Sequence, residues 1–172
     1  MIDALALPTD HFFWLTLICF VAGMVRGFSG FALSAVVMAV GVVFLPPIAL
    51  IPILWFQEMT ASLLMVRGGW KEANHRTVRG LVIGSAIGLP IGLALTLSLP
   101  VETSKLVALS VIVVLAATQL TKLRLPFLAS RPGLWGSGVL AGIVTGLAHV
   151  GGMVVALYVL ASNAPAREMR AS

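Results

Sequence analysis

The stretch Ala22-Gly23-Met24-Val25-Arg26-Gly27-Phe28-Ser29-Gly30-Phe31-Ala32 sets one arginine, one serine and three glycines inside an otherwise apolar run. Gly27 and Gly30 allow a helix to unwind there, and an interrupted helix leaves backbone N–H groups without partners. What such a break means depends on what surrounds it, and composition answers that. Hydrophobic residues make up 59% of the chain and charged residues 10%, against about 45–50% and 25% in soluble domains. Eleven basic and six acidic side chains among 172 residues cannot cover a water-facing surface. The mean hydropathy of +1.07 agrees. The sequence predicts an all-α, polytopic membrane protein, in which a helix break is tolerated only where it is packed in protein or lines a cavity.

Outward from this joint, seven apolar segments are legible: His11–Val25, Phe31–Leu45, Pro47–Val66, Gly80–Leu99, Ser104–Leu120, Gly133–Ala148 and Val150–Ser162. The third, fourth and fifth reach the length that crosses a bilayer core of about 30 Å. The other four are shorter and form two pairs, each broken by a glycine-rich joint. Arg67, Lys71, Arg76 and Arg79 follow the third segment, and Lys122, Arg124 and Arg131 follow the fifth. Two crossings separate these basic stretches, so loops 67–79 and 121–132 share a side, and the positive-inside rule makes that side cytoplasmic. If the first two segments both cross, the N-terminal tail with Asp3 lies outside.

The second joint repeats the first. Ala22-Gly23-Met24-Val25-Arg26-Gly27 reads A-G-M-V-R-G, and Ala141-Gly142-Ile143-Val144-Thr145-Gly146 reads A-G-I-V-T-G, at an offset of 119 residues. Val36 meets Val155, Val40 meets Val159 and Pro46 meets Pro165 at the same offset. The expected organisation is a first repeat over 1–120 and an incomplete second repeat over 121–172. Five segments per repeat is odd, so the second would be inverted in the membrane, as in many secondary transporters. Ser172 falls opposite Ile53, which leaves counterparts of the third to fifth segments unaccounted for and suggests a truncated second half.

The chemistry concentrates at the joints. The N–H groups opening a half-helix, with its positive dipole end, suit an anion. Arg26 adds a permanent charge and a planar donor fork matched to carboxylate, sulfonate or sulfite oxygens, and Ser29 could donate another hydrogen bond. The alternative is a short loop with Arg26 extended to the headgroups. In the second joint, Gly146-Leu147-Ala148-His149-Val150-Gly151-Gly152, His149 is a candidate proton-linked or substrate-contacting group, or a capping residue. Gly151 and Gly152 would serve close helix approach or face the substrate. Glu58 lies mid-segment beside Gln57, where an acid costs about 2.5–3.5 kcal/mol to insert. It calls for a partner, and Arg26 is the natural one, with Glu58 as structural counter-ion or proton carrier. Trp55, Trp70, Trp135 and Tyr158 read as interface anchors or packing.

Other classes fit less well. Basic residues in short loops between apolar runs do not form a nucleic-acid surface. Cys19 stands alone in an apolar run, so no internal disulfide or redox motif is available. No metal-ligand spacing and no cofactor motif occurs, and the N-terminus has no basic region of a cleavable signal. G-F-S-G followed by A-H-V-G-G resembles the serine and histidine motifs of rhomboid intramembrane proteases. However, the Ser29–His149 separation nearly equals the repeat offset, and no His-x-x-x-Asn element precedes Ser29.

The residues A-G-M-V-R-G-F-S-G-F-A at 22–32, R-G-G-W-K at 67–71 and A-G-I-V-T-G…G-G at 141–152 resemble the TauE/SafE (sulfite exporter) permeases over nearly the whole chain. Ala32 departs from the resemblance, standing where another glycine is common, and so does His149, in a joint that is usually richer in glycine. The resemblance implies a plasma-membrane, multi-pass protein with duplicated helical halves, exporting or importing small anions such as sulfite, sulfoacetate or other sulfonates. On that reading the protein is a secondary transporter and not an enzyme. Arg26, Gly27, Ser29 and Gly30 hold the anion from one half, His149, Gly151 and Gly152 face it from the other, and Glu58 acts as counter-ion or proton partner. The lipid bilayer and a small anion are its expected partners, a homo-oligomer is compatible but not required, and a non-transporting membrane subunit is the rival class.

Overall fold

A computed structural model describes residues 9–29, 32–69, 74–121 and 130–161. Among these residues there are seven helices and no strand: α1 (Thr9–Ser29), α2 (Leu33–Gly41), α3 (Pro47–Gly69), α4 (His75–Ser98), α5 (Val101–Leu120), α6 (Arg131–Ala148) and α7 (Gly151–Ala161). Three of them, α3, α4 and α5, are long and apolar enough to cross a membrane. Local chemistry sets several ends. The Asn74 side chain caps α4 by accepting from the N–H groups of Arg76 and Thr77, and Ser130 caps α6 by accepting from Gly133. Pro132 follows in the first turn of α6, where a missing N–H costs nothing.

Two sequence expectations shift. The helix does not break at Arg26: α1 continues through Ser29, which leaves Arg26 and Gly27 in its final turns. Continuing the helix keeps the backbone groups paired, a strong requirement at membrane depth, and glycine within a helix costs only about 1 kcal/mol. The second segment is shorter than its apolar run. Helix α2 holds nine residues and gives way to turns at Val42–Leu45 before Pro47 opens α3. At 1.5 Å per residue the nine residues of α2 span about 14 Å, too little to cross. The placement of the N-terminal tail presumed that α2 crosses. It fails on that ground, and residues 1–8 themselves lie outside the described residues. So do the loops at 70–73 and 122–129, which carry Lys71, Lys122 and Arg124.

The two short helices form the interior. In α2, Leu33, Ser34, Ala35, Val37, Met38 and Gly41 are buried, and in α7 Gly151, Met153, Val154, Tyr158, Val159 and Ala161 are. Met38, Leu50, Leu54, Val37 and Val150 are sealed off almost completely. The outer faces carry Phe12, Phe13, Phe20, Leu63, Leu64, Leu97, Val113 and Leu120, all more than half exposed. So much apolar surface suits lipid and not water.

The tightest pair is α4 with α6. Gly84, Gly88 and Gly92 on α4 meet Gly138, Gly142 and Gly146 on α6 with backbones nearly touching: a Cβ at Gly84 would stand 2.8 Å from the Gly138 Cα. Ser85 donates to the Gly138 carbonyl at 3.1 Å, and Thr96 lies 2.9 Å from the Gly146 carbonyl. Without a hydrophobic driving force between helices in lipid, small residues that permit such approach supply the association. The register climbs together, from Gly84 opposite Gly138 to Gly92 opposite Gly146, so the helices run parallel. Both therefore start on the same side of the bundle, as two intervening crossings require.

Candidate functional site

Glu58 sits halfway along α3, and three other elements converge on it. From the last turn of α1, Arg26 Nη1 lies 2.5 Å from Glu58 Oε2. From the start of α2, the Ser34 hydroxyl donates to Glu58 Oε1 at 2.5 Å. At the joint between α6 and α7, His149 ends a helix that packs against α3. One turn beyond Glu58 on α3, Ser62 Oγ accepts from Arg26 Nη2 at 3.4 Å. The ion pair is shielded but not sealed, with side-chain exposures of 14% for Arg26 and 26% for Glu58.

The backbone at each break is unusual. Ala32, preceding α2, has φ 79°, and His149, ending α6, has φ 54°. These are the only non-glycine residues with positive φ among those described. An L-residue in that conformation costs about 1–2 kcal/mol relative to glycine. The His149 N–H still bonds the Thr145 carbonyl at 2.8 Å, which ends α6 cleanly. The chain can then turn into α7 with the imidazole buried and only 9% exposed.

Several polar atoms in this region lack partners. Arg26 Nε, His149 Nδ1 and Gln57 Oε1 are buried without a hydrogen bond among the described residues. Such groups are costly in an apolar interior, so unmatched polar atoms, the Arg26 Nε donor among them, mark a place where a polar guest would be stabilised. Arg26 is the cation within the bundle. The other described cations with described side chains, Arg76, Arg79 and Lys105, sit in the first two turns of their helices, and Lys105 pairs with Glu102 at 3.7 Å.

The expected site residues fare differently. Arg26 and Glu58 are brought together, and Arg26 is held by Glu58 instead of reaching outward; His149 is buried at the second break. Gly27 lies nearby in α1 with open space where a Cβ would go. Gly151 is taken up in packing, since a Cβ there would collide with Thr145 Oγ1 and the Ala141 carbonyl, whereas Gly152 is exposed with nothing near it. The Ser29 side chain and Gly30 fall outside the described residues. Ser34 and Ser62 were not singled out in the sequence, although Ser62 stands one turn after Glu58 and therefore on the same face. Tyr158 packs in a small buried cluster with Leu81 and Val159. A cavity of about 360 Å³ opens on the outside of α4, α6 and α7, where Val82, Ala86, Leu89 and Val155 line it. Its walls are apolar and it does not reach Arg26.

The sequence matches the family model described as sulfite exporter TauE/SafE over residues 15–172. No curated protein and no solved structure matches the chain.

Proposed function

The chain belongs to the sulfite exporter TauE/SafE family of membrane transporters, and from that premise we propose that it carries small sulfur oxyanions, such as sulfite or organic sulfonates, out of the cell. The observation that carries the reading is the Arg26–Glu58 pair. A guanidinium at the meeting point of two broken helices, with an unmatched Nε donor, is a binding group for a small oxyanion. Ser34 and His149 supply further polar contacts, and Gly27, Ser29 and Gly30 complete the half-site at the first joint. Gly151 and Gly152 let α7 start close to the second.

Transport would proceed by alternating access between two inverted halves, residues 1–120 and the portion of a second repeat in 121–172. The sequence supports this repeat: A-G-x-V-x-G stands at 22–27 in α1 and again at 141–146 in α6, 119 residues apart. Helices α2 and α7 then occupy corresponding positions. The basic ends of α4 and α6 lie on one side of the bundle, and by the positive-inside rule this side faces the cytoplasm of a plasma-membrane protein.

The test is flux of labelled sulfite and isethionate in proteoliposomes. The intact chain is expected to move at least one of them, and Arg26→Gln is expected to fall to the protein-free background while still inserting. Undiminished flux in Arg26→Gln would remove Arg26 from the anion path.

A further inference from the structure

The ion pair that holds Arg26 also decides when an anion can enter. As the site stands, the charge of Arg26 is matched by Glu58, and the pair is neutral. An arriving monoanion would leave a net negative charge in a poorly solvated place, which is unfavourable. Protonating Glu58 removes the excess. An O–H bond forms on the carboxylate, with the proton drawn from water on whichever side the site is open to. Arg26 is then left with an unmatched charge and two free donors, since its Nε has no partner. Glu58, now neutral, keeps the Ser34 hydroxyl as its hydrogen-bond partner, because a hydroxyl can accept as well as donate.

Resting on the anion-site reading above, we propose that anion and protons occupy this site together, one proton for each negative charge, with Glu58 taking the first and His149 the second when the anion is divalent. The structure supplies both acceptors in one place. His149 is nine-tenths buried, its Nδ1 has no hydrogen-bond partner among the described residues, and it ends α6, which packs against the helix that carries Glu58. With a monoanion, Arg26 and the anion cancel while Glu58 is neutral. With a dianion, Arg26 and a protonated His149 cancel it. Transport is then electroneutral proton–anion symport, and a pH difference can drive it whereas a voltage cannot.

The groups facing Glu58 are few. Arg26 comes from α1 and His149 from the α6–α7 joint, while α2 brings no titratable side chain. Helix α4 carries its described titratable groups, His75, Arg76 and Arg79, in its first two turns, and α5 carries Glu102 and Lys105, paired with each other. Tyr158 of α7 lies against Leu81 and Val159 instead. His11, in the first turn of α1, lies instead against Phe44.

The experiment is titration calorimetry of the intact chain with methanesulfonate and with sulfate, whose charges stay fixed across the range, from about pH 5.5 to about pH 8. Any pH dependence then belongs to the protein. On the alkaline limb, methanesulfonate affinity is expected to fall about tenfold per pH unit and sulfate affinity about a hundredfold. Glu58→Gln should bind methanesulfonate at high pH as tightly as the wild type does at low pH, with a flat profile. In proteoliposomes the same variant should exchange anion for anion yet fail to accumulate it against a gradient when a pH difference is imposed. His149→Asn, which tolerates the left-handed backbone, should reduce the sulfate slope to tenfold and leave the methanesulfonate slope alone. A flat wild-type profile, or a Glu58→Gln profile as steep as the wild type's, would overturn the coupling and leave the anion site standing. Absence of binding by sulfite, methanesulfonate and sulfate at every pH would instead remove the anion site, and the coupling with it.

Discussion

Helix pairs α1–α2 and α6–α7 are built to one plan and used in opposite ways. In each, a longer helix gives way, close to a non-glycine residue of positive φ, to a helix buried in the bundle. In α6, Gly142 and Gly146 are pressed against α4, whereas their counterparts in α1, Gly23 and Gly27, have nothing within 4 Å. The position of Arg26 is filled in α6 by Thr145, whose hydroxyl bonds back to the Ala141 carbonyl at 2.7 Å. Arg26 instead reaches across to Glu58. One copy of the motif therefore serves packing and the other presents charge. The difference lies in single side chains on a shared backbone plan.

The sharpest way to break this comparison is to add bulk to each glycine face. Gly88→Leu should abolish a monodisperse peak in detergent, because its Cβ would collide with the Val139 carbonyl and Ile143 N–H. Those obstacles are backbone atoms that cannot rotate away, so the cost should exceed the roughly 1–3 kcal/mol of ordinary overpacking. Gly23→Leu, facing open space, should leave the elution profile unchanged. Were Gly23→Leu to fail in the same assay, the α1 face would have to be covered by another helix, and the two pairs would be more alike than they look.

Smaller effects refine the picture. Gln119 on α5 donates to the Met153 carbonyl in the first turn of α7 at 3.1 Å. Gln119→Leu should destabilise the protein by about 1 kcal/mol, read as a lowered thermal midpoint, since it removes one net hydrogen bond. The first break is tied instead by the Ser34 hydroxyl to Glu58, and its weak point is Ala32 at φ 79°. Ala32→Gly should raise the midpoint slightly, by no more than about 1 kcal/mol, because relief of the left-handed strain is partly offset by glycine's greater freedom when unfolded. A lowered midpoint would mean that the methyl group packs more usefully than the backbone suffers.

Much of this was legible in the sequence, for physical reasons that can be named. Seven apolar runs and two joints follow from hydropathy and glycine placement, and Glu58 announced itself because a carboxylate inside an apolar run needs a partner. That the partner is Arg26 was inferable, since the two stand out as charges set within apolar surroundings. The extent of α1 was not, because Gly27 can sit in a helix or end one, and only the tertiary surroundings decide. Ser34 was invisible for a similar reason: a serine in an apolar run can satisfy itself on its own helix, as Thr16, Thr60 and Thr118 do here. The α4–α6 seam was written as glycines at every fourth position, 80 to 92 and 138 to 146. A spacing of four announces a packing face but not its partner.

The central claim is that the charge of Arg26 exists for the anion and not merely to neutralise Glu58. Doubly neutral Arg26→Gln/Glu58→Gln separates the two, since it leaves no unpaired charge and preserves a hydrogen-bonding pair. Sulfite and isethionate flux in proteoliposomes should be absent from this variant even though it inserts and elutes like the wild type. Restored flux would mean that the pair only holds the bundle together, and that the anion is bound elsewhere.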